Sequence, residues 1–270
     1  MTTTAAHPLS PGARTLQRCR AEGRAALVGY LPVGFPSVAG SIEAMVAMVA
    51  AGADIVEVGV PYSDPLMDGP VIQRATEAAL AAGTRVEDAF AAVRAVTDAG
   101  AAAYVMTYWN LVLRRGVERF AAELAAAGGS GLITPDLIPD EAARWLAAAQ
   151  AHNLDRVFLV APSSTPERLT IATSACRGFV YAASTMGVTG TRETVGSAAE
   201  AVVERTRAVT ELPVCVGLGV SNQAQAADVA RFADGVIVGS ALVRALGEGG
   251  IPALETLTRQ LAAGVREGGR

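Results

Sequence analysis

Lysine is absent from this chain: all 22 of its cationic residues are arginine. Without a side-chain amine it can form no Schiff base, which excludes lysine-imine catalysis and the attachment of pyridoxal phosphate to this chain. Histidine is nearly absent as well. Only His7, close to the start, and His152, near the end of an expected helix, are present, so no histidine-bound catalytic metal is expected. Cys19, Cys176 and Cys215 are odd in number and lack CxxC spacing, and they read as structural thiols rather than a disulfide framework or zinc site. Hydrophobic residues make up 51% of the chain and mean hydropathy is +0.34. Charged residues nevertheless interrupt every apolar stretch well before the roughly 20 residues a spanning helix needs, so a soluble protein is expected. The N-terminal twenty residues lack a basic start followed by an apolar run, which leaves a cytoplasmic location as the expectation. Net charge is -4, and the arginines are scattered, so the footprint of a nucleic-acid binder is missing.

What is present is a repeated alternation of short β-branched runs with alanine-rich amphipathic stretches. Strands are expected at 26–30, 55–58, 104–106, 131–134, 156–160, 179–182, 214–217 and 235–238. Helices are expected at 38–51, 86–99, 116–127, 141–151, 166–173, 197–209, 222–231 and 240–266, with an extra N-terminal helix at about 14–22. Eight βα units in 270 residues fit a closed (β/α)8 barrel, a fold of about 250 residues, better than a doubly wound open sheet with the same local signals. No linker divides the chain, and a single domain over 1–270 is expected. In either architecture the ligand belongs at the strand C-termini, so the residues just after each strand matter most.

Glu57 sits near the end of an otherwise apolar second strand. A carboxylate there is either satisfied by local hydrogen bonds or used as a general acid and base with its protonation equilibrium moved toward neutrality. The segment after it, VPYSDPLMDGP, is too rich in proline and aspartate for a strand or helix and reads as a long loop over the site. Its Asp68, before Gly69, either makes a turn or supplies a second carboxylate at the same mouth, dividing roles with Glu57. Gly217 and Gly219 after the seventh strand, and Gly239 and Ser240 after the eighth, read together as a phosphate site. Glycine lets backbone N–H groups approach an anion at a helix N-terminus there, without lysine. The loop STMGVTGTRE after the sixth strand has the composition of a closing lid, although idle loops share it. Tyr181, at the end of that strand, either offers its hydroxyl to the site or packs in the barrel.

The stretches IVEVGVPYSDPLMDGPVIQRA, MTYWNLV, GLITPDLIPDEA, FLVAPSSTPERL, FVYAASTMGVTG, VCVGLGVSN and DGVIVGSALV run in order from position 55 to 243, and together they resemble the tryptophan synthase alpha chain. The resemblance implies a TIM barrel that cleaves indole-3-glycerol phosphate into indole and glyceraldehyde 3-phosphate. Indole would pass to a separate beta chain in an αββα heterotetramer; pyridoxal phosphate belongs to that partner, and no cofactor is expected here. By motif position Glu57 matches the family's catalytic glutamate, Asp68 its catalytic aspartate and Tyr181 its site tyrosine. Gly217, Gly219, Gly239 and Ser240 fall on the phosphate-binding turns. Thr189 falls on the closing-loop threonine that meets Asp68, with Gly190 beside it, and Asp64, Asn110 and Asp136 lie in segments that face the beta chain.

Three positions depart from the usual pattern: Thr185 stands where many members carry arginine, LPVGFP replaces a threonine-alanine-glycine wording after strand one, and Phe179 replaces a tyrosine. The first bears on lid closure and subunit coupling. A free-standing lyase, a non-catalytic activator of a beta chain and a different phosphate-binding barrel are the competing readings; retention of both carboxylates weighs against the activator.

Overall fold

The computed structural model describes residues 8–183, 192–217 and 219–269, with the backbone alone for 192–196. Nine parallel strands form one sheet among them: β1 Ala26–Pro32, β2 Ile55–Gly59, β3 Ala102–Met106, β4 Gly131–Ile133, β5 Asp155–Val157, β6 Leu159–Val160, β7 Val180–Ala183, β8 Val214–Gly217 and β9 Gly235–Val238. Their order is β5-β4-β3-β2-β1-β9-β8-β7-β6. β5 and β6 stand at opposite ends of that order, yet only Phe158 separates them in the chain, so the ring closes through the backbone. The result is a (β/α)8 barrel whose fifth strand is interrupted. The expected single strand at 156–160 therefore needs correction: Phe158 N–H donates to Cys176 Sγ at 3.4 Å rather than to a strand, and the chain changes neighbours there, from β4 to β7.

Alternation along each strand sorts the side chains into two layers. Leu27, Val56, Val58, Val105, Val216 and Val236 face the surrounding helices, while Val28, Ile55, Tyr104, Phe179, Cys215 and Ile237 fill the barrel interior. Both faces of the strands are thus buried, as a parallel barrel requires. The floor of the barrel is closed by α1, Pro11–Ala21, whose Leu16 and Cys19 join the interior layer. Ser10 caps it, accepting the Ala13 N–H at 3.0 Å, with Pro11 at the first helical position; this cap starts the helix three residues before the expected 14. Ser10 Oγ also donates to Asp155 Oδ2, to which the Tyr104 hydroxyl donates at 2.7 Å.

The remaining helices are α2 Val38–Ala50, α3 Pro70–Ala81, α4 Val86–Asp98, α5 Trp109–Arg115, α6 Val117–Ala126, α7 Ala143–Ala151, α8 Pro166–Ala175, α9 Arg192–Arg207, α10 Gln223–Ala230 and α11 Ser240–Glu267. α3 and α5 were not among the expected helices. α5 is seven residues long and is stopped by Gly116 at φ 94°, too short for a periodic signal. α11, expected as one helix, is broken where Gly250 leaves helical geometry at φ 63° shortly before Pro252. The three cysteines are free and buried, and burial pushes the Cys19 and Cys176 thiols up to about 12. No helix among the described residues is long and apolar enough to cross a membrane.

Candidate active site

With α1 filling the floor, the open end of the barrel is the mouth at the strand C-termini. A cavity of about 360 Å³ lies there. Glu57, Asp68, Tyr181, Gly217, Gly219, Gly239 and Ser240 all line it, together with Tyr30 and the apolar side chains of Met67, Ile72, Met106, Leu159 and Ile237. Carboxylates, glycine turns and an apolar wall therefore share one chamber.

Glu57 is 1% exposed, and neither of its carboxyl oxygens has a hydrogen-bond partner among the described residues. Among those residues, no local hydrogen bond satisfies the glutamate. An ion there would be costly, and burial pushes its carboxyl up to about 8. Such a group is a proton donor at neutral pH and can take the proton back. Asp68 is half-buried in the 60–69 segment, and burial raises its pKa above the usual aspartate value. Its backbone carbonyl accepts from Gln73 Nε2 at 2.8 Å, which ties it to α3. The loop itself is held by Tyr108, whose hydroxyl accepts the N–H groups of Leu66 at 2.9 Å and Met67 at 3.1 Å and whose ring stacks on Tyr62 with centroids 4.8 Å apart.

Tyr181 faces the chamber. Its phenol proton is held on by burial and then by the charge of Glu57. The hydroxyl occupies the space above Gly217, where a Cβ would come within 2.6 Å of it; Gly217 is thus needed for the tyrosine. Gly219 takes a φ of +67°, in the left-handed region where glycine is at ease. Gly239 is the N-cap of α11 and Ser240 its first residue, so the positive end of a helix dipole opens at the cavity wall.

Thr189 and Gly190, with Thr185, lie outside the described residues. Asp64, Asn110 and Asp136 are exposed, and none lines the cavity. Asp64 accepts from its neighbour Ser63 Oγ at 2.6 Å, while Asp136 accepts the Trp109 N–H through both oxygens, at 2.9 and 3.1 Å. Sequence reasoning missed Tyr30 and Tyr108. Tyr30 stands on β1 in register with Glu57, and its signal was an aromatic residue at the inward phase of a strand end. Tyr108 gave no local signal, because its contacts are made across 41 and 42 residues.

The family model of the tryptophan synthase alpha chain matches residues 16–267. A tryptophan synthase alpha chain of Mycobacterium marinum is 66% identical over 249 residues, 92% of each chain. A solved tryptophan synthase of Mycobacterium tuberculosis is 64% identical, with TM-score 0.91 over 96% of this chain and 99% of that one. The tryptophan synthase subunit alpha of Legionella pneumophila is 30% identical, with TM-score 0.88 over 96% and 99%. The chain belongs to the tryptophan synthase alpha chain family.

Proposed function

We propose that this chain, acting as one barrel domain over 1–270, cleaves indole-3-glycerol phosphate into indole and glyceraldehyde 3-phosphate, with Glu57 as acid and base and Asp68 as electrostatic partner. The observation that carries this reading is Glu57: a buried carboxyl at the wall of the chamber, with no hydrogen-bond partner among the described residues and held up to about 8, so that it enters the reaction protonated. It gives that proton to indole C3, and positive charge develops at the ring nitrogen. Asp68, as a carboxylate, accepts the ring N–H and stabilises that charge. Glu57, now ionised, takes the proton of the glycerol hydroxyl next to the ring. The C3–carbon bond breaks, its electron pair restores the indole, and the former hydroxyl carbon leaves as the aldehyde. Glu57 ends protonated, as it began, and the indole ring has served as the electron sink.

The turns at Gly217–Gly219 and Gly239–Ser240 suit the phosphate, with backbone N–H groups and the α11 dipole in place of lysine. Tyr181, beside Glu57, suits the glycerol end. Thr189 and Gly190 are assigned to the closing loop on the family motif.

The same reading gives the chain a beta-chain partner in an αββα heterotetramer, which carries the pyridoxal phosphate and converts indole to L-tryptophan in the cytoplasm. Three exposed apolar side chains support a covered face: Leu66, Leu113 and Ile138 are 81%, 48% and 43% exposed, on the segments that also carry Asp64, Asn110 and Asp136. Product analysis tests the reaction. Indole and glyceraldehyde 3-phosphate appear in equal amounts if the reading holds, and a phosphorylated product that retains the indole ring refutes it.

A further inference from the structure

Between the exposed face carrying Asn110 and Asp136 and the chamber holding Asp68 runs a short chain of direct contacts. The Asp136 carboxylate accepts the Trp109 N–H. The adjacent residue, Tyr108, is 5% exposed, and its hydroxyl accepts two consecutive N–H groups, those of Leu66 and Met67, immediately before Asp68. Tyr108, Asp68 and Pro135 also border one narrow gap, and the charges of Asp68 and Asp136 both act on the Tyr108 phenol, after the larger effect of its burial. A single phenol oxygen that accepts two backbone donors fixes the path of the loop more tightly than stacking of the ring alone, because both donors must point at one atom.

We propose that Tyr108 is a positioning residue: its hydroxyl sets the place of Asp68 over the substrate and passes to it the state of the face that carries Asp136. The inference rests on the proposed function for its catalytic readout, but not for its structural one. Tyr108 touches the loop backbone and acts on the reaction only through Asp68. The phosphate turns belong to other loops, after β8 and β9, so substrate capture is separate from this contact.

Tyr108→Phe keeps the ring, its burial and its stacking on Tyr62 while removing the acceptor. In the full-length chain, kcat for indole release then falls by about 10- to 100-fold, the scale of a small misplacement of a reacting group, while KM changes less than about threefold. In an Asp68→Asn background the same change alters kcat by less than about twofold, since residues acting as one unit are not additive. Amide hydrogen exchange at Leu66 and Met67 speeds up at least about tenfold in Tyr108→Phe, and also rises in Asp136→Ala, as the opening of that contact becomes easier. Unchanged exchange in Tyr108→Phe overturns the proposal, as does an undiminished loss of kcat in the Asp68→Asn background. Unchanged exchange in Asp136→Ala overturns the link to the outer face. If wild type releases no indole, the proposed function fails, and the exchange data alone decide whether Tyr108 holds the loop.

Discussion

Tyr30 and Glu57 stand in register on the adjacent strands β1 and β2, both facing the chamber. The tyrosine brings a hydroxyl and an aromatic face, and the glutamate brings a proton held by burial. The Tyr30 hydroxyl fits because Gly59, two residues beyond Glu57, has no side chain in its way. Above a middle layer filled by Ile55, Phe179 and Ile237, the barrel interior thus becomes polar again at its mouth, where a substrate can reach it.

The pH profile follows from the two carboxylates. In the proposed reaction Glu57 starts protonated, and its carboxyl is held up to about 8, so kcat/KM falls as pH rises through about 8. The same reaction uses Asp68 ionised, so activity also falls on the acid side, through a pKa above the usual aspartate value. A bell-shaped profile of kcat/KM checks both limbs, and Glu57→Gln removes what activity the alkaline limb reports.

Stability carries the same signature with a definite sign. Glu57 has an ordinary pKa of 4.5 and is raised to about 8 by burial, so between those values the folded chain keeps a proton that the unfolded chain has lost. Its contribution to stability is therefore lost progressively as pH rises through that window. Glu57→Gln has no such titration. Denaturant unfolding shows the variant gaining on wild type from pH 5 to pH 8, and a constant difference contradicts the burial account.

Gly217→Ala places a Cβ 2.6 Å from the Tyr181 hydroxyl and 3.0 and 3.1 Å from its ring carbons. The tyrosine must swing away, and the turn proposed to face the phosphate is crowded. KM for indole-3-glycerol phosphate rises at least about tenfold, a change of roughly 1.4 kcal/mol, while the melting temperature moves little. Steady-state kinetics and thermal unfolding of the same preparation separate the two effects.

At the barrel floor, Tyr104→Phe removes one of the two hydroxyl donors to the Asp155 carboxylate. Asp155 is fully buried, and its Oδ1 has no hydrogen-bond partner among the described residues, only the Arg177 guanidinium 3.6 Å away. The loss of a hydrogen bond to a charged group costs about 1.5–3 kcal/mol, read as a lower midpoint in urea. Indole release at 25 °C is unaffected, because Tyr104 lies below the chamber.

Much of the barrel was legible because parallel strands buried on both faces write continuous apolar runs, such as those at 26–30 and 235–238, and because Glu57 breaks one of them. That the turns at Gly217–Gly219 and Gly239–Ser240 line the chamber was legible because their position in the eight-unit order puts them at strand C-termini. The break at Phe158 was not, since it depends on a thiol 18 residues away. Tyr108 escaped for the same reason: its hydroxyl meets residues 66 and 67 only once β2 and β3 are paired. The helix at Trp109–Arg115 was too short to show a period. Local patterning wrote the elements, and long-range contacts decided where they bend.

The central claim is that Glu57 carries the proton transfers, and the most direct measurement is the rate of indole release from indole-3-glycerol phosphate by wild type and Glu57→Gln, each alone and with a cognate beta chain. The account predicts release by wild type that rises when beta chain is added. It predicts a fall in kcat of at least about 10²-fold in Glu57→Gln, the scale of a lost general acid and base, under both conditions. A Glu57→Gln variant that releases indole at the wild-type rate would contradict it.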